Sequence, residues 1–151
     1  MPERAAHTAA GDAATDVVLH TFRANGRFLA AGDLLAAHEG LTSARWQVLG
    51  ALALEDRPLT VPQIARRMGL TRQSLQASVD RLVRDALVEA VENPDHRRSP
   101  LIRLTDLGRE KYAALERRQL AWINELAAGL DVSELATTAR VLEQMSSRLE
   151  R

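Results

Sequence analysis

The chain has 151 residues, with 20 Lys and Arg side chains balanced by 20 Asp and Glu side chains, 46% hydrophobic residues and no cysteine. This composition predicts one soluble globular domain, and the absence of cysteine excludes disulfides, cysteine-based zinc sites and thiol nucleophiles. No apolar run reaches the ~18 residues needed to span a bilayer, and residues 1–15 lack the apolar core of a secretion signal, so we expect a cytoplasmic protein.

The balanced net charge conceals a basic segment in the middle of the chain. Residues 57–105 carry nine basic and five acidic side chains, whereas residues 1–56 carry four and seven, and residues 106–151 carry seven and eight. An internal basic block is typical of a polyanion-binding surface. A solvated basic face would give the same count, so the charge pattern alone leaves both interpretations open.

The first predicted elements are a tail and a long helix. Residues 1–14 are small and polar without apolar periodicity, which predicts a disordered N-terminal tail. From Thr15 to Gly40, apolar residues recur at helical spacing, and Gly26 and Gly32 indicate that this helix is bent or broken. We therefore expect a tail over residues 1–14 and an N-terminal helix over residues 15–40.

Three capped helices follow, and the last two form a helix-turn-helix. The signals in chain order are a cap at Thr42 or Ser43, a capping box of Thr60 and Gln63 around Pro62, a turn at Gly69, and a cap at Thr71 for a helix to about Asp85. Ala65 is small enough to let the two helices of the motif cross. The core between them is expected to contain Ile64, Met68, Leu70, Leu75 and Val79.

The exposed side of the second helix of this motif is polar. Arg can bind guanine and Gln can bind adenine in the major groove, so Arg72, Gln73 and Gln76 are candidate base readers. Thr71 and Ser74 suit phosphates. The alternative is that these are ordinary solvated residues of a surface helix.

A basic-tipped hairpin is predicted next, with strands over residues 87–92 and 101–104. Arg97 and Arg98 on its polar loop could enter a narrow minor groove, and Asp95 or His96 could brace one of them. The alternative for the arginines is a solvated turn. A metal role for His96 is weaker because the other histidines show no ligand spacing with it, and we expect no metal or cofactor.

Two helices complete the chain. Thr105 can cap a helix to about Leu126, and residues 131–134 form a capping box for the last helix. The apolar residues of that last helix step by three and four, which indicates a seam that packs lengthwise on a partner helix. These seam residues are Leu135, Leu142, Met145 and Leu149.

The stretch from Leu41 to Tyr112 resembles the MarR-type winged-helix transcriptional regulators. The resemblance is carried by LTVPQIA (59–65), LTRQSL (70–75), VDRLV (79–83) and RRSPLIRLTDLG (97–108). It implies a mainly α fold with a small β-wing, in which a winged helix-turn-helix over residues 41–105 lies between dimerisation helices over residues 15–40 and 106–151. It further implies a homodimer held by its first and last helices, so we expect Val18 and Phe22 to join the seam residues in the interface.

The resemblance also implies where ligands bind. Residues from Thr71 to Ala77 would lie in the major groove, with Arg81 flanking them, and the wing arginines would reach the minor groove. A small aromatic or phenolic effector would bind between the dimer helices and the winged domain, where His38, Trp46 and Tyr112 are candidates by position. Their alternative role is in the core. His96 occupies the usual wing Asp position, and its partial protonation near phosphates would make DNA binding pH-dependent.

The sequence bears on three classes of function. The leading one is a dimeric, sequence-specific DNA-binding repressor that binds a pseudo-palindromic operator and is released by a small ligand. A winged-helix protein-interaction module would instead carry acidic or apolar residues at positions 72, 73, 76 and 98, which are Arg, Gln, Gln and Arg. An enzyme is disfavoured because the chain has no nucleophile elbow, phosphate loop or metal-ligand cluster.

Overall fold

The computed structural model describes residues 8–149, which form six helices and one three-stranded antiparallel sheet. In chain order the elements are α1 (Ala9–Ala37), α2 (Ser43–Glu55), β1 (Leu59–Thr60), α3 (Val61–Met68), α4 (Arg72–Arg84), β2 (Val88–Val91), β3 (Leu101–Leu104), α5 (Asp106–Ala127) and α6 (Val132–Leu149). The predicted fold class, mainly α with a small β-wing, is confirmed.

Helix α1 begins earlier than predicted. It starts at Ala9, where Thr8 caps it by accepting a hydrogen bond from Gly11, so the expected tail is wrong for residues 9–14. This segment is rich in alanine, which favours a helix without apolar periodicity, and Asp12 suits the first turn electrostatically. Residues 1–7 of the expected tail lie outside the described part of the chain. The helix also continues without a break through Gly26 and Gly32.

The predicted caps of the next three helices are confirmed. Thr42 caps α2 and Thr71 caps α4, while Thr60 and Gln63 form the reciprocal capping box of α3. Gly69 ends α3 with a φ of 62°, the left-handed conformation that favours glycine. These caps are local in sequence, which is why their residue types were sufficient to locate the helix boundaries.

The sheet contains one strand that was not predicted. The wing strands β2 and β3 pair as expected, with Val88 opposite Leu104, and β1 pairs with the other edge of β3 through Leu59 opposite Ile102. A strand of two residues is too short to show alternation in the sequence. It nevertheless holds the start of α3 against the base of the wing.

One core lies beneath the helix-turn-helix and the sheet. Its largest fully buried side chains are Leu49, Leu59, Ile64, Leu75, Leu82 and Leu115. The expected core position of Leu70 is wrong, since this side chain is exposed. Leu70 follows Gly69 outside both helices, where its N–H bonds the Ala65 carbonyl at 3.0 Å and closes the end of α3.

The chain divides into two compact units, the first ending at Glu116 and the second beginning at Arg117. The second contains the end of α5, a turn at Gly129 with a φ of 81°, and α6. Asp131 accepts hydrogen bonds from the N–H groups of Ser133 and Glu134 and so caps α6. A hydrogen bond from the Ser133 hydroxyl and these two backbone bonds lower the pKa of the Asp131 carboxyl.

Candidate nucleic-acid interface

Helix α4 is held with one face buried and the other facing solvent. Leu75, Val79 and Leu82 are at most 2% exposed, and they fix the orientation of the helix on the core. The opposite face presents the predicted DNA contacts, and all seven of these are exposed: Thr71, Arg72, Gln73, Ser74, Gln76, Ala77 and Arg81. Their contact with DNA stays a prediction, while their exposure is a property of the fold.

These side chains differ in whether they already have partners. The hydroxyls of Thr71 and Ser74 bond each other at 3.0 Å in the cap of α4. Gln76 donates to the Asp80 carboxylate at 2.8 Å, and Arg81 donates to Asp85 at 2.9 Å. Within residues 8–149, Arg72 and Gln73 make no side-chain hydrogen bond or ion pair, so both are free to meet a base edge.

An ion pair fixes the helix that precedes α4. Arg67 of α3 contacts both the end of α2 and solvent, with its Nη2 2.6 Å from Glu55 Oε1. The hydrogen bond from Arg67 lowers the pKa of the Glu55 carboxyl. Helices α2 and α3 are thereby tied at the surface as well as in the core.

The wing loop is braced by a residue that the sequence prediction missed. Asn93 is buried, and its Nδ2 donates to the Ser99 carbonyl at 2.8 Å while its Oδ1 accepts from the Asp95 N–H at 3.1 Å. The expected brace by the side chain of Asp95 or His96 is not formed in the described structure. Asn followed by Pro94 was the available signal, because Asn commonly bonds the backbone two residues ahead in turns.

The wing arginines extend away from this brace. Arg97 and Arg98 are exposed, and neither side chain has a hydrogen-bond or ion-pair partner among residues 8–149. His96 is also exposed, and the pH dependence inferred from it stays a prediction. The backbone bond from Ser99 to His96 at 2.9 Å tightens the loop at the position of these side chains.

Helix α4 and the wing enclose one groove of about 520 Å³. Arg72 lies at one end of α4 and Arg84 at the other, and Arg98 enters the groove from the wing. Three arginines and one acidic residue, Asp80, therefore line this groove. Arg84 was not among the predicted DNA contacts, because only the approach of the wing to α4 shows that it belongs to this surface.

The start of α5 is fastened to the turn between α4 and β2 by close contacts. Thr105 donates its hydroxyl to the Ala86 carbonyl at 2.7 Å and caps α5 through the Gly108 N–H at 3.0 Å. A Cβ on Gly108 would lie only 2.0 Å from the Leu87 carbonyl oxygen. The Leu-Thr-x-x-Gly pattern of residues 104–108 therefore has a steric cause, since only glycine lets α5 approach the turn before β2 so closely.

Known proteins resemble this chain over most of its length. A sequence model of the MarR family matches residues 39–99, which include the helix-turn-helix and most of the wing. The uncharacterized protein Rv2011c of Mycobacterium tuberculosis is 43% identical over 129 residues, which are 85% of this chain and 89% of that protein. The chain belongs to the MarR family. The family consists of winged-helix transcription regulators, and this chain shares that general role.

Two further relatives extend the comparison of this MarR-family chain. The transcriptional activatory protein BadR of Rhodopseudomonas palustris is 30% identical over 119 residues, which are 75% of this chain and 66% of BadR. The PcaV transcriptional regulator from Streptomyces coelicolor, solved with its natural ligand, superposes with a TM-score of 0.70 at 28% identity. That alignment covers 95% of this chain and 98% of PcaV.

The three candidate effector residues of the MarR-family chain have different surroundings. Trp46 and Tyr112 are half-buried against the core, whereas His38 is exposed at the end of α1. Burial raises the pKa of the Tyr112 phenol above its ordinary value, and the Glu116 carboxylate adds to this effect. An effector pocket formed by these residues stays a prediction.

Polar contacts link α1 to both α2 and α5 near these residues. Asp33 accepts the Ser43 N–H at 2.6 Å, which helps to cap α2, and Gly32 lets the two helices approach each other there. Lys111 of α5 donates to the Glu39 carbonyl at 3.1 Å. A shift of α1 would therefore be transmitted to the start of α2.

The predicted interface residues lie on faces that this chain leaves largely uncovered. Phe22 is 70% exposed, Leu135 42% and Leu149 86%, and Val18 is also exposed. Leu142 and Met145 are partly buried, yet no residue of α6 falls into the buried class. Their role in a dimer stays a prediction.

The placement of metal-ligating side chains and the character of the helices bear on other functions. Among residues 8–149, no group of three or more His, Cys, Asp or Glu side chains is arranged to hold a metal ion. None of the described helices combines the length and apolar character required to cross a membrane.

Proposed function

We propose that the chain is a cytoplasmic, dimeric, sequence-specific DNA-binding repressor whose release from DNA is controlled by a small aromatic or phenolic ligand. The observation that carries the proposal is the groove between α4 and the wing. Arg72, at the start of α4, and Arg98, on the wing, both line this groove. Neither side chain has a hydrogen-bond or ion-pair partner among residues 8–149. In a helix-turn-helix these positions meet the major groove and the adjoining backbone or minor groove.

We propose different roles in DNA binding for these residues, according to the contacts that they already make. Arg72 and Gln73 are unpartnered among residues 8–149 and lie in the first turn, so they are the proposed base readers. Gln76 must exchange its bond with Asp80 for one with a base, which lowers its expected contribution. Arg97 and Arg98 are proposed to neutralise phosphates or lie along the minor groove.

The exposed apolar side chains of α1 and α6 support a homodimer. Phe22 of α1 is 70% exposed and Leu149 of α6 is 86% exposed, and apolar helix faces of this kind commonly pack against a second copy of the same chain. Two copies would place two α4 helices about one DNA turn, ~34 Å, apart. We therefore expect the operator to be a pseudo-palindrome with both half-sites on one face of double-stranded DNA.

The proposed control by a small ligand is supported by half-buried aromatic residues and by one relative. Trp46 and Tyr112 offer ring faces for an aromatic molecule. PcaV was solved with its natural ligand bound. Whether bound protein represses or activates depends on where the operator lies relative to the promoter; BadR bears the name of an activator, and we propose repression for this chain.

The test is selection of bound sequences from a random duplex library at about 0.1–0.15 M salt, where sequence-independent binding is weakened. The mass of the bound species is measured on the selected DNA. We expect an enriched inverted repeat bound by two chains. The preference at one base position should relax in the Arg72→Ala variant, while a matched change in the second compact unit, Arg140→Ala, should leave the selected sequence unchanged.

The opposite result has a clear meaning. Weak, salt-sensitive binding without any enriched sequence would contradict sequence-specific regulation and favour the protein-interaction module. Release by a ligand is tested separately, by titrating simple aromatic carboxylates and phenols into the protein–operator complex. A complex that none of them dissociates, with no change in Trp fluorescence, would contradict the proposed class of ligand.

A further inference from the structure

A second basic concavity lies on the flank of α4, away from the groove that faces the wing. It has a volume of about 420 Å³ and is lined by Thr42, Arg45, Ala77, Ser78 and Arg81. Two of its five lining residues are arginines and none is acidic. It therefore offers guanidinium groups to an anion at the junction of α2 and α4.

Both arginines are held by one carboxylate behind them. Asp85 Oδ2 accepts from Arg81 Nε at 2.9 Å and from Arg45 Nη1 at 3.4 Å. The side chain of Arg45 is only 17% exposed, and its Nε also contacts Thr42 Oγ1 at 3.3 Å. Each guanidinium has five N–H donors, so most of them remain available after these bonds.

The arrangement orients the arginines without neutralising them. Two positive charges share one negative charge, which leaves a net positive charge beside the concavity. An arginine fixed at one end loses less conformational freedom when it binds an anion than a mobile surface arginine does. Asp85 therefore prepares the pair for a ligand that approaches from the α4 surface.

The position along α4 indicates which anion that ligand is. Gln73, Ala77 and Arg81 are four residues apart and share one face of the helix. At 1.5 Å per residue, Arg81 lies about 13.5 Å along the helix from Arg72. The N-terminal residues of a recognition helix contact the base edges, so we expect Arg81, beyond that turn, to lie beside the phosphate backbone that borders the groove.

We propose that Asp85 is a positioning residue that holds Arg45 and Arg81 in a clasp around one phosphate of the DNA backbone. The proposal rests on the proposed function, because the position of Arg81 beside the backbone assumes that α4 lies in the major groove. The phosphate would bind in the concavity beside Ala77 and Ser78, where its oxygens accept N–H groups from both arginines. The small side chain of Ala77 leaves room for this approach.

The first experiment compares two variants that remove one negative charge each. Asp85→Asn removes the carboxylate of the clasp, whereas Glu92→Gln removes an exposed carboxylate that has no partner among residues 8–149. Simple repulsion predicts that both changes strengthen DNA binding. We expect Glu92→Gln to bind as well as or better than wild type, and Asp85→Asn to bind about fivefold to tenfold more weakly.

The thermal midpoint of each variant is measured so that affinities are compared only where both are folded. Asp85→Asn binding as tightly as Glu92→Gln, with an unchanged dependence on salt, would overturn the proposal. The effect should be equal on all sequences, because a phosphate contact carries no sequence information.

The second experiment asks whether the two arginines bind one phosphate. Arg45→Ala and Arg81→Ala are each expected to reduce the slope of log affinity against log salt by about one for each bound chain. The double variant should also lose about one for each bound chain, since each chain loses a single phosphate. A loss of about two for each bound chain would overturn the shared clasp.

The same measurements on a mixed-sequence duplex separate this proposal from the proposed function. If selection enriches no operator but the mixed duplex shows the expected slopes, sequence-specific regulation fails and the clasp stands. If an operator is enriched but the slopes do not change in the three variants, the clasp fails alone. If no duplex is bound, both are overturned.

Discussion

Helices α4 and α6 are both amphipathic, but among residues 8–149 only the apolar face of α4 is buried. Leu75 and Leu82 of α4 are buried beneath the helix, so its polar face is fixed outward. Leu135 and Leu149 of α6 follow a similar spacing and remain exposed. The difference shows that periodicity predicts an apolar face without identifying its cover, and we infer that a second chain covers α6.

The largest expected effect comes from placing a charge on an uncovered apolar face. Phe22→Asp in α1 should give a folded monomer and weaken operator binding by about a hundredfold or more, because the advantage of two linked sites is lost. Sedimentation equilibrium and operator titration measure the two effects. The matched control is Leu54→Asp, since Leu54 is 83% exposed at the end of α2, outside the proposed interface.

Leu54→Asp should leave both the mass and the affinity as in wild type. A Phe22→Asp variant that stays dimeric and binds its operator normally would show that α1 has another role. The exposed apolar face of α1 would then need a partner other than a second copy of the chain.

The packing at the base of the wing predicts the next effect. Gly108→Ala should lower the free energy of unfolding by ~1–3 kcal/mol, because its methyl group meets the Leu87 carbonyl. Gly26→Ala should instead raise it by ~0.4–1 kcal/mol, since nothing lies within 4 Å and the helix gains a better helix former. Urea unfolding measures both. Equal effects at the two glycines would refute the close contact.

Arg72 on α4 and Arg98 on the wing are expected to make different kinds of contact with DNA. Arg72→Ala should cost about 1–3 kcal/mol of operator binding and relax the base preference at one position if it contacts guanine. Arg98→Ala should weaken binding to all sequences and reduce the salt slope by about one for each bound chain. Titrations at several salt concentrations on operator and mixed duplex decide this. A wild-type salt slope in Arg98→Ala would remove the wing from the interface.

The smallest expected effect concerns the only tyrosine of the chain. Because burial raises the pKa of Tyr112, the unfolded chain loses its phenolic proton at lower pH than the native protein. Stability should therefore fall as pH rises from about 10 toward the native pKa. Tyrosinate absorbance should have a higher midpoint in native protein than in denaturant, and Tyr112→Phe should abolish it. Coinciding midpoints would contradict the burial.

The features that sequence predicted well are local ones. The capping box of Thr60 and Gln63 joins residues three apart, and the turn at Gly69 needs only one residue type. The start of α1 was missed because alanine-rich segments form helices without an apolar pattern. The strand β1 was missed because two residues cannot show alternation.

The sequence predicted the exposed residues of the candidate site, but not the contacts that hold the site in place. Residues 71–77 were found because a helix-turn-helix places them by spacing alone. The bond between Arg45 and Asp85 joins residues 40 apart, and the brace from Asn93 to the Ser99 carbonyl depends on the loop conformation. Such contacts require the tertiary fold, so no spacing rule could have assigned them.

The most direct test of the central claim, that two chains present two α4 helices to one face of DNA, uses the selected operator. Its two half-sites are moved apart by half a helical turn, about five base pairs, and binding is measured again. We expect affinity to fall to the level of mixed-sequence DNA, because a fixed dimer can then reach only one half-site. Unchanged affinity would show that each chain binds its half-site independently and would contradict a fixed dimer.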